Sequence, residues 1–492
     1  MERFEKLVWA LFLAMVLVRL VLAFSSPYFD YDSYFHIRHI ESITNTGIPE
    51  YNDALSYGGG FFIFSPLFHY IIAAFSFIMP IGIAGKIIPN IAFALLIPLA
   101  YYIAYEITGS KKISLFAPLF IAFMPALWST IFTLSPLCLA IPAIFYAFYC
   151  LVKKDGKNNI PRFLTFIILA SLISPVSIIT IPVVWLYILF IKIEKIETDS
   201  ALVEAAIFST FFILLMQFIF YKNAILVNGS EIIWQNVPLE IIKNYFININ
   251  ILDIIANIGI LPFIFGLYEI FVFSFEKKER VSALFISVVL VLGVLIWLKL
   301  IALGTGIILL GVGISIISIA TIKHSLDYFD KIKFKRIRYV IAAIIIIFLL
   351  SAVFPSFYYW NLSKNNLPAK SEVDALLWLR ENSNENSVVA GSVKDGFIIN
   401  AVAGRKNIID GNFLMSPEAG ERLKDISAIY KTNFETMALE LLNKYGAKYI
   451  FFGKNAKTDY NVTELGFEDR KCFTKVFDEE NVSLYKTWCE LE

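Results

Sequence analysis

Directly after its first hydrophobic stretch the chain reads Ser-Ser-Pro-Tyr-Phe-Asp-Tyr-Asp-Ser-Tyr-Phe-His-Ile-Arg-His-Ile-Glu, from Ser25 to Glu41. Two carboxylates (Asp30 and Asp32), two histidines (His36 and His39) and an arginine (Arg38) follow one another closely. Carboxylates can hold a divalent cation or take a proton from an attacking hydroxyl, and a guanidinium or imidazole can steady a leaving phosphate. A charged side chain at the bilayer centre costs about 3 kcal/mol on the insertion scale, so the cluster belongs at an interface. Chemistry of this kind at a lipid surface suits an enzyme whose substrate is itself a lipid.

The elements that position these residues are membrane helices. The 492 residues are 58% hydrophobic and only 17% charged, with a mean hydropathy of +0.69. Apolar stretches at 7–24, 83–107, 113–131, 134–152, 163–174, 176–193, 202–221, 252–275, 281–299, 301–321 and 338–358 approach or exceed a bilayer-spanning length. They predict about eleven spans, with thirteen as the upper count because several stretches are short or broken, as at Pro175. Leu7 to Phe24 lacks a small-residue cleavage site and reads as a retained anchor. Ser65 to Met79 is apolar but short and reads as a helix lying along the outer interface. Residues 1–360 form a transmembrane domain, and residues 365–492 have the composition of a soluble α/β domain.

With that assignment the basic residues sort to one side. Lys111 and Lys112, the cluster Lys153 to Arg162, Lys192 and Lys195, Lys277 to Arg280 and the run Lys323 to Arg338 all share the side of Arg3 and Lys6. The positive-inside rule then puts the N-terminus in the cytoplasm. It puts the 25–82 loop, the 222–250 loop and the C-terminal domain outside. The Asn-X-Ser/Thr triplets at Asn228, Asn361, Asn461 and Asn481 all lie in segments so assigned. The basic run at 323–338 reads as a cytoplasmic loop and not as a nucleic-acid surface.

The topology brings the Asp30/Asp32 loop, the turn Trp128 to Pro136 and the loop Val227 to Trp234 to one face, and makes Glu231 an outer carboxylate. Asp32, Asp30 and Glu231 with a lipid phosphate could ligate a divalent cation such as Mg²⁺ or Mn²⁺. Alternatively Asp32 could act as a general base, with Arg38 or His36 holding the leaving phosphate. His36 and His39 could share a helix face, but a zinc site needs further ligands. There is no phosphate-cradling glycine loop and no Cys/His cluster, and Gly58-Gly59-Gly60 reads as a flexible turn. Carboxylates within the spans are scarce (Glu106, Glu204, Glu269), which argues against an ion-coupled transporter.

In the C-terminal domain a helix is expected over Glu372 to Glu381, then a strand over Ser387 to Gly391, helices near 418–430 and 433–444, and a buried strand Tyr449 to Phe452. Cys472 and Cys489 flank a hairpin expected at 473–478 and 481–487. A disulfide is geometrically feasible there in an oxidising compartment, and two free thiols are the alternative. Cys138 and Cys150 read as small apolar filler.

Taken together, these pieces resemble the catalytic subunit of oligosaccharyltransferase of the archaeal and bacterial single-subunit kind, within the GT-C superfamily of membrane glycosyltransferases. Asp32-Ser33-Tyr34-Phe35-His36-Ile37-Arg38 resembles the family's first acidic motif. So do Ala375 to Asn382, Ala401 to Arg405 and Leu441 to Tyr449 its external domain. The resemblance implies a GT-C-like fold, a catalytic, metal-binding role for Asp32, and a place for Glu231 as the late-loop glutamate. Two departures stand out. Thr133-Leu134-Ser135-Pro136-Leu137 carries no carboxylate where the second acidic motif should follow the third span. The sequon-reading Trp-Trp-Asp-Tyr-Gly motif aligns to Ser392-Val393-Lys394-Asp395-Gly396, where only a one-residue shift offers Asp395 as a substrate-binding aspartate.

The expected function is therefore a glycosyltransferase using a polyprenyl-phosphate-linked sugar donor. Its acceptor, on the outer membrane face, would be a glycolipid, polysaccharide or protein, with Asp32 as base or metal ligand and Glu231 as an auxiliary acid. The loss of sequon-reading residues favours a lipid-linked glycan or other polymer over asparagine. Asparagine-linked transfer with divergent sequon recognition is the alternative, and a non-catalytic glycolipid-binding paralogue is a third reading.

Overall fold

The computed structural model describes all residues except 1–2, 154–158, 197–199, 235–236, 242–250, 276–279, 332–336, 417, 468–470 and 490–492. Seven described helices are long and apolar enough to cross a membrane. An eighth forms if Ile251–Ile258 and Ile260–Phe273 count as one, bent by 102°. The bend falls at Gly259, whose φ of +103° is open to glycine and strained for other residues. Three predicted spans correspond to shorter apolar helices, Ile113–Ala122, Leu137–Val152 and Asn159–Ile173. The stretch expected to lie along the interface holds the short helix Leu67–Ser76.

The polar first loop is also structured. Helix Ser33–Thr46 begins at Asp32 and ends at Gly47, whose φ of +81° lets its N–H bond back to the Ile43 carbonyl. A small antiparallel hairpin follows, β1 (Asn52–Asp53) with β2 (Gly60–Phe61). Gly58 and Gly59, at φ +79° and +121°, turn the chain between them.

The chain ends in a sheet domain. β3 (Val388–Ala390), β4 (Lys406–Asn407), β5 (Ala447–Phe452), β6 (Phe473–Glu479) and β7 (Val482–Thr487) form one sheet in the order β4-β3-β5-β7-β6. β3 is parallel to β4 and β5. β7 is antiparallel to both β5 and β6, and Cys472 and Cys489, at the open end of the β6–β7 hairpin, are joined in a disulfide. β5 is buried along nearly its whole length, as expected of a central strand between helices Lys370–Asn382, Ala419–Lys431 and Glu435–Lys444.

The sheet domain is clamped onto the first loop by side chains far apart in sequence. The Tyr57 backbone N–H donates to Asn407 Oδ1 at 2.8 Å, and the Tyr57 hydroxyl donates to the Asp410 carbonyl at 2.8 Å. Ser56 donates to the Asp410 carboxylate, and Arg422 reaches the Tyr57 carbonyl at 3.0 Å. Gly396 is required by close approach, because a Cβ there would lie 2.4 Å from both Asp410 Cβ and the Ile409 carbonyl oxygen.

Candidate functional site

The Asp30–Asp32 loop rests on a polar platform at the end of the first helix. Arg19, buried in that helix, donates to Asn90 Oδ1 at 3.0 Å, to the Leu127 carbonyl at 2.8 Å and to Thr130 Oγ1 at 3.1 Å. Asn90 in turn donates to the Ile131 carbonyl at 3.1 Å, and Lys86 donates to the carbonyls of Ala23 (3.0 Å) and Ser26. Cations taken out of water must be satisfied by hydrogen bonds. These hydrogen bonds run between segments, so they tie the first helix, the Ile81–Ala94 helix and the 127–134 turn together.

On this platform Asp30 is fully engaged. Its backbone N–H donates to the Phe132 carbonyl at 3.3 Å. One carboxylate oxygen accepts from the Ser33 N–H at 3.0 Å and from the Ser33 hydroxyl, and the other accepts from Thr133. Ser33 Oγ also accepts from the Leu134 N–H at 2.7 Å, tying the helix start to the turn. Burial and the neighbouring Asp32 charge push Asp30 up to about 6, against the pull of the Ser33 and Thr133 hydrogen bonds.

Asp32 is the opposite case. Its carboxylate is exposed, caps no helix N–H, and has no hydrogen bond or ion pair among the described residues. Desolvation by the surrounding protein nonetheless raises its pKa, while the charge of Lys394 from the sheet domain pulls it down. Lys394 itself is exposed and reaches Asp459 at 3.0 Å.

The other residues singled out in the sequence have protein partners. Arg38 makes a bidentate ion pair with Asp53, with Nη1 at 2.7 Å from Oδ1. Burial pushes Asp53 up, but Arg38 and the N–H groups of Leu55 and Ser56 more than offset this and hold it below its ordinary value. Two of the five N–H groups of Arg38 are thus committed to Asp53. His36 Nδ1 lies 3.0 Å from Nε2 of the buried His69, and burial lowers the His36 pKa to about 3. Asp395 is buried, accepts from Ser392 at 2.8 Å and from Asn455 at 2.7 Å, and is pushed up to about 7 by burial and the Glu372 charge. It supports the sheet-domain loop from within and does not face solvent. Glu231 lies in the 3₁₀ turn Gly229–Trp234, and its side chain is outside the described residues.

Sequence reasoning missed the partners: Thr133, Lys394, and the pair Tyr31 and Glu372, joined by a Tyr31 hydroxyl donating to Glu372 Oε2 at 2.7 Å. Glu372 also accepts from the N–H groups of Ala369 (2.8 Å) and Lys454 (3.2 Å), so one carboxylate fastens the start of the sheet domain to the Asp30–Asp32 loop. The only advance signal was Lys394 standing at a motif's aspartate position.

Among the described residues no three His, Cys, Asp or Glu side chains converge to hold a metal ion. Asp30 has both oxygens taken, Asp32 carries no side-chain hydrogen bond or ion pair among the described residues, and the side chain of Glu231, the third residue singled out as a cation ligand, lies outside them.

No protein-family model matches the sequence, and no curated protein does. Solved structures do match in fold. The archaeal oligosaccharyltransferase AglB from Archaeoglobus fulgidus, in complex with an inhibitory peptide and a dolichol-phosphate, superposes with a TM-score of 0.61 at 14% identity, covering 92% of this chain and 70% of that one. The Archaeoglobus fulgidus enzyme in complex with zinc and sulfate gives 0.58 at 16% identity, covering 90% and 67%. ArnT from Cupriavidus metallidurans, bound to undecaprenyl phosphate, gives 0.57 at 10% identity and covers 97% of each chain. The chain has the polytopic GT-C fold of these proteins, with a C-terminal sheet domain.

Proposed function

We propose that the chain is a membrane glycosyltransferase that moves a sugar from a polyprenyl-phosphate-linked donor to an acceptor, with Asp32 as the general base. The observation that carries this reading is the state of Asp32. Its side chain has no hydrogen bond or ion pair among the described residues, and it is held at a helix start and raised in pKa by desolvation. A base is most effective when its pKa lies near the working pH. As the acceptor hydroxyl attacks the anomeric carbon, its proton passes to Asp32, the oxygen–carbon bond forms, and the bond to the lipid phosphate breaks. The phosphate leaves with the negative charge, and Lys394 is the nearby cation from the sheet domain.

The membrane orientation belongs to the same reading. The N-terminus is cytoplasmic and the sheet domain extracytoplasmic, as supported by the sorting of basic loops and by the Cys472–Cys489 disulfide, a bond of oxidising compartments. Two facts favour a lipid-linked or polymeric acceptor. Coverage is 97% in both directions against ArnT, which is solved with undecaprenyl phosphate. Asp395, the aspartate offered at the sequon-reading motif, is buried. The second reading, transfer to asparagine with divergent peptide recognition, is favoured by the somewhat higher TM-score against the archaeal oligosaccharyltransferase, 0.61 against 0.57.

The test supplies membranes containing the protein with labelled polyprenyl-phosphate sugar and either a glycolipid or a sequon peptide. Label in the glycolipid, abolished by Asp32→Asn, is the expected result. Label in the peptide reverses the acceptor, undiminished transfer by Asp32→Asn overturns the site, and no transfer to either leaves a non-catalytic glycolipid-binding protein.

A further inference from the structure

A second concave site lies at the opposite end of the sheet from Asp32. The C-terminal ends of the parallel strands β3 and β5 lead into Lys394, Asp395 and Asn455, which face the catalytic-type loop. Their N-terminal ends, with Ser387 and Ala447, line a groove of about 570 Å³ instead. Six residues of strand put the two sites roughly 17 Å apart along the sheet. The volume is within the usual range for small-ligand sites.

The lining is polar and aromatic. Trp488 is 62% exposed, yet its place is fixed. Its backbone N–H donates to the Cys472 carbonyl at 3.0 Å, its indole N–H donates to Thr474, and the next residue, Cys489, is bonded to Cys472. Lys486 Nζ sits 3.8 Å from the centre of the Trp488 ring, and Lys448 also lines the groove. No acidic side chain is among the described lining residues. Three amides, Asn382, Asn384 and Asn443, complete the rim. Asn382 donates once to the Trp378 carbonyl at 2.9 Å and Asn384 Oδ1 accepts from the Asn386 N–H at 2.9 Å, so each keeps further hydrogen-bonding capacity.

Each part matches a feature of a sugar. The apolar face of a pyranose packs against a rigid aromatic ring. Planar amides offer a donor and an acceptor side by side, as vicinal hydroxyls require. Ammonium groups hold a carboxylate by charge-assisted hydrogen bonds. We propose that this groove binds an acidic oligosaccharide, with Trp488 as the stacking platform, Lys486 as the anion contact and the three asparagines reading hydroxyls. The site goes beyond the transfer reaction and does not depend on it.

The test is calorimetric titration of the full chain in nanodiscs with a tetragalacturonate and, separately, with neutral maltotetraose. Saturable binding of the acidic sugar is expected, with the neutral one at least about tenfold weaker. Trp488→Ala and Lys486→Glu should each weaken binding about tenfold, and Asp32→Asn should leave it unchanged. Should Trp488→Ala fail to fold, Lys486→Glu and Asn384→Ala, both changes at the groove surface, decide the matter. Absence of saturable heat, equal binding of the two sugars, or wild-type binding in the variants overturns the proposal. Because no transfer is measured, a failure here leaves the Asp32 reading standing, and a failure there leaves the groove standing.

Discussion

Thr133 donates its hydroxyl hydrogen to Asp30 across 103 residues of sequence. Where the resembled family places a second acidic motif, this chain places a donor, and the donor satisfies the acid that a second carboxylate would repel. The loop thereby divides two neighbouring carboxylates: both oxygens of Asp30 are bonded within the chain, and the Asp32 side chain has no hydrogen bond or ion pair among the described residues.

Thr133→Val tests that division. Asp30 has a folded pKa of about 6, raised above its unfolded value of 3.8 by burial first. The folded state therefore binds more protons between those values, and the contribution of Asp30 to stability falls as pH rises from about 4 to about 6. Removing the Thr133 donor raises the folded pKa further and extends the loss to higher pH. Thermal unfolding of the variant in detergent should show a cost of about 1–3 kcal/mol that is larger at pH 8 than at pH 5. An equal cost at both pH values would assign Thr133 to packing alone.

Lys394→Ala tests the reach of the sheet domain into the reaction. The Lys394 charge is the factor that lowers the Asp32 pKa against desolvation. Without it Asp32 gains its proton at higher pH, so the acid limb of the transfer rate should move upward, further still for Lys394→Glu, with the rate on the alkaline plateau changed less. An unmoved acid limb, measured as kcat/KM against pH, removes Lys394 from the site.

Tyr31→Phe tests the clamp. The lost hydroxyl leaves Glu372, buried at the domain junction, short of one of its donors. A bond to a charged acceptor is worth about 1.5–3 kcal/mol. Hydrogen exchange should accelerate in the helix Lys370–Asn382 and in the Asp30–Asp32 loop together, because one bond joins them. Faster exchange in only one of the two segments would show that they are held independently.

These tests mark the limit of sequence reading. All eleven candidate stretches fall on helices or helix pairs, because an apolar run of fixed length is a local property that the bilayer enforces. The hairpin between Cys472 and Cys489 was equally local, set by alternation and two bounding cysteines. Asp32 could be singled out because a helix start and a motif coincide there. Which partner each polar side chain chooses was not legible. Arg38 turns to Asp53 across a loop, and His36 finds His69 in a helix that sequence marks only as apolar. Lys394 comes to Asp32 from a different domain. Such pairings are decided by tertiary packing, for which charge and spacing along the chain carry no signal.

The histidines supply the last prediction. His36, His39 and His69 are gathered in one aromatic nest, with His39 ring centres 4.4 Å from Phe35 and 4.5 Å from Phe64. Neither ring nitrogen of His39 has a hydrogen-bond partner within the chain. Burial lowers His36 and His39 to about 3 and His69 well below its ordinary value. For His39 the Arg38 charge adds to the lowering, and Asp53 opposes it. The folded loop therefore keeps three neutral imidazoles while the unfolded chain takes up protons below about pH 6.5. Stability from this nest is complete above that value and is lost as pH falls from 6.5 towards 3. His39→Phe keeps an aromatic ring between Phe35 and Phe64, removes two unsatisfied polar atoms, and deletes one of the titrating groups. Its midpoint of thermal unfolding should equal or exceed that of the wild type at pH 8 and exceed it by a wider margin at pH 5, since about one proton fewer is taken up on unfolding. A margin that does not grow with acidity would mean that His39 is solvated in the folded protein and that the nest is open to water.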